Sequence, residues 1–128
     1  MNVGKVARHA GLPAKTIRYY DEIGLVSPHR SENGYRIYSD DDVHRLSFLK
    51  RARKLGFSID ECRQLLLLYG DKSRSSQDVQ RIAVAHVKAI ESKINELQSM
   101  RETLQELVSA CYGDERPDCP ILADLAKT

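Results

Sequence analysis

Cys111 and Cys119 carry the most distinctive chemistry in this chain. They lie eight positions apart across Tyr112-Gly113-Asp114-Glu115-Arg116-Pro117-Asp118, where Gly113 and Pro117 mark a loop that can fold back and let the two sulfurs meet. Two soft thiolates suit a soft cation, and Cu(I) accepts linear two-sulfur coordination. Structural zinc takes four ligands, and this stretch has no His and no third Cys, although Asp114, Glu115 and Asp118 could supplement the thiols. Cys119 directly precedes Pro120, a residue suited to start a helix, so the helix dipole and its free N–H groups should lower the thiol pKa. A disulfide, or a surface pair without a role, is the alternative. Cys62 falls on one helical face with Leu65, Leu66 and Tyr69 and reads as a small buried hydrophobe. His9, His29, His44 and His86 are scattered and show no metal spacing.

A second constellation lies in the first half of the chain. Residues 1–60 carry 11 Lys/Arg against 7 Asp/Glu, a net of +4, whereas residues 61–128 carry 9 against 11, a net of −2. Four of the six tyrosines, Tyr19, Tyr20, Tyr35 and Tyr38, sit beside that basic excess. Arg and Lys neutralise phosphate charge and tyrosine hydroxyls bond phosphate oxygens, so this interleaving suits a nucleic-acid backbone, with a solvated surface as the plain alternative.

The elements that must position these residues follow from periodicity and punctuation. Val3, Val6, Ala7 and Ala10 recur at helical spacing, with Asn2 placed to cap and Gly11 to end the helix. A second helix runs from about Pro13 to Ile23, with Gly24 terminating it, and the two read as a helix-turn-helix over about 3–23. In such motifs the N-terminal residues of the second helix meet base edges, which selects Lys15, Thr16, Arg18 and Tyr19, with Ile17 packing inward. Arg18 is the candidate for bidentate guanine reading or a phosphate clamp. Between about 26 and 39, Asn33-Gly34 signals a hairpin turn beside the strand-prone Tyr35-Arg36-Ile37-Tyr38, so a small wing is expected to carry Arg30, Tyr35, Arg36 and Tyr38 to the flanking backbone. Helix pairs with a hairpin can equally be mere scaffolding.

Ser39 can cap a third helix with Val43, Leu46 and Leu49 on one face, ending near Gly56. Ser58-Ile59-Asp60-Glu61 is a capping box opening a fourth helix that Gly70 should close. After a polar linker, residues 76–110 contain no Gly or Pro, and positions 83, 87, 90, 94, 97, 101, 104 and 108 alternate steps of four and three. All but Arg101 are apolar, which predicts a coiled-coil helix of about 50 Å. A chain this small cannot cover such a helix alone, so a homodimer paired through it is expected. Pro120 then opens a short helix bearing Ile121, Leu122 and Leu125.

The chain has 128 residues, of which 41% are hydrophobic and 30% charged, which fits one ordinary folded unit and not a disordered segment. No apolar run approaches the ~20 residues of a membrane span, and the N-terminus lacks the layout of a secretory signal. Three cysteines, an odd number, make a poor disulfide scaffold, so a reducing cytoplasm is the expected location. Cys-x-x-Cys near a βαβ pattern, a Ser/His/Asp constellation and a phosphate-cradling Gly loop are all missing, which argues against a thiol oxidoreductase and against an enzyme generally. A dimeric scaffold without DNA is the remaining plain reading.

Lys15-Thr16-Ile17-Arg18-Tyr19-Tyr20-Asp21-Glu22-Ile23-Gly24-Leu25, followed by Arg30-Ser31-Glu32-Asn33-Gly34-Tyr35-Arg36-Ile37-Tyr38 and Arg51-Ala52-Arg53-Lys54-Leu55-Gly56-Phe57, closely resembles the MerR family of bacterial transcription regulators. Pro13 departs from the family, which usually has a capping Ser or Thr there. The resemblance implies a mainly α fold: a winged helix-turn-helix DNA-binding domain (1–70), an antiparallel dimerisation helix (75–110), and a metal-binding loop with a short helix (111–128). It implies a dimer on a palindromic promoter with an overlong spacer, distorted so that RNA polymerase engages both promoter elements. Cys111 through Leu122 is similar to the metal loop of the copper-responsive branch, and Ser76 matches that branch's serine where sensors of divalent ions carry a cysteine. The implied effector is one Cu(I) per chain, with Ag(I) and Au(I) as mimics. A zinc- or thiol-redox-responsive regulator using the same loop is the alternative.

Overall fold

The computed structural model describes residues 1–128 and divides them into two compact units, Met1–Ile82 and Ala83–Thr128. The first unit opens with helix α1 (Val3–Ala10), whose Asn2 side chain accepts from the Lys5 N–H at 2.8 Å, as the capping pattern predicts. Helix α2 (Ala14–Glu22) follows after Gly11-Leu12. Pro13 stands at its N-cap without a side-chain cap bond, and so just outside the first turn. The helix closes where Gly24 turns left-handed at φ 78 and the Leu25 N–H reaches back to the Tyr20 carbonyl at 2.9 Å; a side chain at Gly24 would be strained in that conformation.

The wing is shorter than the run of β-prone residues suggests. Strands β1 (His29–Arg30) and β2 (Arg36–Ile37) pair antiparallel with His29 opposite Ile37 and Arg30 opposite Arg36. Two residues per strand is all that the turn from Ser31 to Tyr35 leaves before Ser39 begins the next helix. Helices α3 (Asp40–Lys54) and α4 (Ile59–Gly70) both open with complete capping boxes, Ser39 with Asp42 and Ser58 with Glu61. Gly70 departs from its expected terminating role. It is the last helical residue, and α4 stops at Asp71 in extended backbone, whose carboxylate then accepts from the Ser73 N–H and hydroxyl.

One core holds this unit together. Val6 and Ala10 of α1, Ile17 and Tyr20 of α2, Leu25, Val26, Tyr38, Leu46, Leu49 and Ala52 of α3, and Cys62 and Leu66 of α4 are all buried. Each helix contributes positions three or four apart, the stripe an amphipathic helix turns to its neighbours. Cys62 lies wholly inside, its sulfur 3.9 Å from the Phe57 carbonyl, and burial pushes its thiol pKa up. The Arg63 guanidinium donates to the Ile23 carbonyl at 2.8 Å and so ties α4 to the end of α2.

Helix α5 (Ser76–Ala110) is uninterrupted over 35 residues and buries none of them. Val87, Ile90, Ile94, Leu97, Leu104 and Val108 are all exposed along one seam. In the second unit the chain leaves this helix at Cys111, crosses the loop, and ends in α6 (Pro120–Leu125), with Pro120 in its first turn. No helix is long and apolar enough to cross a membrane.

Candidate nucleic-acid interface and candidate metal centre

Helix α2 and the wing define one exposed surface in the first unit. Ile17 and Tyr20 point into the core, which turns Lys15, Arg18 and Tyr19 outward and leaves Thr16 half-buried. A shallow cleft lined by Lys15, Thr16, Tyr19, Tyr20, Arg53 and Ile59 runs beside that face. A second is lined by Asn2, Val3, Arg18, Gly34, Tyr35 and Arg36, so Arg18 stands between α1 and the wing. Tyr35, 73% exposed, and Ile37, 46% exposed, project away from the body of the domain.

Tyr38 requires a correction. It is only 2% exposed, inside the core, and its hydroxyl is buried with no hydrogen-bond partner, so it is not placed to touch a DNA backbone. Side chains alternate along extended backbone, so Tyr38 faces opposite to Tyr35 and Ile37. A sequence reading that sends Tyr38 outward with Tyr35 neglects this parity. Burial pushes the Tyr38 phenol pKa up.

The two wing arginines are not free cations. Arg30 Nη2 lies 2.9 Å, and Arg36 Nε 2.5 Å, from the same Asp21 oxygen on α2. Arg30 also reaches the Gly34 carbonyl at 3.4 Å. Sequence reasoning missed Asp21 because its partners stand nine and fifteen residues further on. It likewise passed over Arg53 beside Lys15 and Thr16.

In the second unit, Cys111 and Cys119 come together as their spacing predicts, sulfur to sulfur at 4.0 Å, with neither in a disulfide. Gly113 permits the reversal with φ 65, and three side chains brace it. The Arg116 guanidinium stacks 3.9 Å from the centre of the Tyr112 ring. Its Nε reaches Asp114 Oδ2 at 3.0 Å, while its backbone N–H donates to Asp114 Oδ1 at 2.9 Å. Asp114 is thereby engaged in the loop's own turn.

Cys119 is the N-cap residue of α6 and makes no ordinary side-chain cap bond. Even so, the peptide N–H of Leu122, then that of Ile121 and the neighbouring Cys111 thiol, hold its pKa below the usual thiol value against a partial desolvation cost. The donor set fits a soft cation shared by two sulfurs. Metal–sulfur bonds of about 2.3 Å allow two sulfurs on one ion to stand up to about 4.6 Å apart, so the observed pair needs only small adjustment. No group of three or more His, Cys, Asp or Glu side chains is placed to hold a metal ion.

A short helix pair with a two-stranded wing, carrying exposed Lys and Arg on its second helix, defines a winged helix-turn-helix. The family signature described as "MerR HTH family regulatory protein" matches residues 1–68, and that described as "MerR, DNA binding" matches residues 43–107. The HTH-type transcriptional regulator HmrR of Rhizobium leguminosarum bv. viciae is 56% identical over 98% of this chain and 98% of its own. The HTH-type transcriptional regulator CueR of Salmonella typhimurium is 46% identical over 98% of this chain and 92% of its own. The solved structure of the transcription regulator PbrR691 from Ralstonia metallidurans CH34 in complex with lead(II) superposes with a TM-score of 0.87 at 31% identity, covering 98% of this chain and 99% of that one. The chain belongs to the MerR family, DNA-binding transcription regulators and not enzymes.

Proposed function

We propose that this chain is a Cu(I)-responsive transcription activator of the MerR family. It binds a palindromic promoter site as a homodimer in the cytoplasm, and with the ion bound it distorts the DNA so that RNA polymerase transcribes copper-resistance or efflux genes. The observation that carries the reading is the isolated sulfur pair: two thiols 4.0 Å apart with no third ligand converging on them. Such a pair suits a monovalent soft ion, Cu(I) with Ag(I) and Au(I) as mimics, and leaves a divalent ion under-coordinated. The CueR relative supports the same direction. A bound Cu(I) would supply a two-coordinate link between the end of α5 and the start of α6. The chain itself contributes the rest: Gly113 and the Tyr112–Arg116–Asp114 brace shape the loop, and the α6 N–H groups steady the Cys119 thiolate.

Lys15, Thr16, Arg18 and Tyr19 are assigned to the DNA by their place on α2, and Arg30, Tyr35 and Arg36 by their place on the wing. The exposed seam of α5 supports pairing with a second copy, because an apolar stripe of that length needs a partner in water. Ser76, the first residue of α5, is assigned to metal selectivity: in the dimer a Cys at this position of the second copy would add a third ligand to the loop, whereas a Ser leaves two sulfurs.

An anaerobic titration of the reduced protein with Cu(I) against a competing chelator, run beside zinc, tests the reading. One tightly held Cu(I) per chain, lost in Cys111→Ser and in Cys119→Ser while DNA binding persists, is expected. Zinc held equally tightly would shift the assignment to the zinc or thiol-redox form of the same regulator. In Ser76→Cys the response should broaden toward divalent ions.

A further inference from the structure

Arg30 and Arg36 stand directly opposite one another across the wing, a pairing in which two like charges repel. Within the hairpin Arg30 reaches the neutral Gly34 carbonyl at 3.4 Å. Asp21 offsets the repulsion from outside, accepting from both guanidinium groups on one carboxylate oxygen. Its side chain is half-buried between them, on the outward-turned helix that also carries Lys15, Arg18 and Tyr19. The wing has two residues in each strand and so little internal stiffness of its own. A further tie to the helical body runs through Tyr38, whose backbone pairs with Met1 and whose ring is in the core.

We infer that Asp21 is a positioning residue for DNA binding: it clamps both wing arginines to helix α2 and so fixes the distance between the helix and the wing that must meet successive parts of one duplex. The inference rests on the reading that helix and wing share the DNA. It runs against simple charge counting, under which an acidic group on a DNA-binding face weakens binding and its removal strengthens it. With Asp21 in place both arginines are held in one geometry; without it they repel each other and the strands of the wing lose their side-chain tie to helix α2.

The test uses the duplex that the wild-type protein recovers from a randomised pool. In Asp21→Asn, which keeps size and loses charge, binding of that duplex should weaken roughly three- to tenfold, the loss expected from two partly exposed ion pairs. The slope of log K against log salt should become shallower by about one to two units, because the two arginines no longer meet phosphates in register. In Asp21→Glu much of the affinity should return. To separate this from damage to the fold, Asp21→Asn is also measured in an Arg30→Gln/Arg36→Gln background, where it should weaken binding no further. Tighter binding by Asp21→Asn, an unchanged salt slope, or an undiminished loss in the double-arginine background would each overturn the clamp. A wild-type protein that recovers no duplex would instead refute the underlying reading of the face.

Discussion

Removing the Tyr38 hydroxyl should stabilise this protein. The oxygen is buried and has no partner, while the ring fills part of the core that also holds Ile17, Leu46 and Leu49. A buried polar group without a hydrogen bond retains the cost of leaving water, about 1–3 kcal/mol. Tyr38→Phe keeps the ring and deletes that cost, so the low end, about 1 kcal/mol of added stability, is the expected gain. For a chain of 128 residues this corresponds to a rise in Tm of about 3–5 °C. Urea unfolding at a fixed chain concentration is the appropriate assay, since coupling to dimerisation would otherwise move the midpoint. Operator affinity should not change, because the hydroxyl is buried and out of reach of a duplex. Tyr38→Ala, which empties the site, should cost about 3–5 kcal/mol. A Tyr38→Phe variant less stable than wild type would mean that the hydroxyl has a partner. A tenfold loss of DNA affinity without loss of stability would restore Tyr38 to the interface.

Other consequences can be checked separately. Arg18→Ala should weaken operator binding by about tenfold and reduce the salt slope by about one unit, with Cu(I) affinity unchanged; an unaltered slope would remove Arg18 from the phosphates. The Cys119 thiol pKa is lowered, so its thiolate persists to lower pH than an ordinary thiol's. The midpoint of its alkylation rate against pH should therefore lie below that of a model thiol, while buried Cys62, with its pKa raised, should stay unmodified until the domain unfolds. Mass mapping of labelled peptides distinguishes the two. Leu97→Glu puts a charge in the exposed seam of α5 and should yield monomers in sedimentation at micromolar concentration; a persisting dimer would place pairing elsewhere.

Several elements were legible because their causes are local. Asn2, Ser39 and Ser58 cap helices through bonds to N–H groups three residues away, so their signatures survive in a linear string. The unbroken helix over 76–110 follows from the lack of Gly and Pro and from the step pattern of its apolar residues. The Cys111–Cys119 approach was legible for a related reason, since an eight-residue separation with Gly113 and Pro117 inside it has few ways to run.

Other features lay beyond any local signal. The strand-prone run Tyr35-Arg36-Ile37-Tyr38 does not say which parity faces inward, and packing against the helices put Tyr38 in the core. Gly70 looked like a helix stop, yet Asp71 and Ser73 supply the termination. Asp21 meets Arg30 and Arg36, and Arg63 meets the Ile23 carbonyl, only after α2, the wing and α4 have docked. The amino-acid sequence by itself determined the helices, their caps, the turn positions and the thiol pair, because each depends on interactions across a few residues. Which side chains turn inward, and which charges share a partner, depended on how those elements pack. That packing is a property of the whole core and of no single segment.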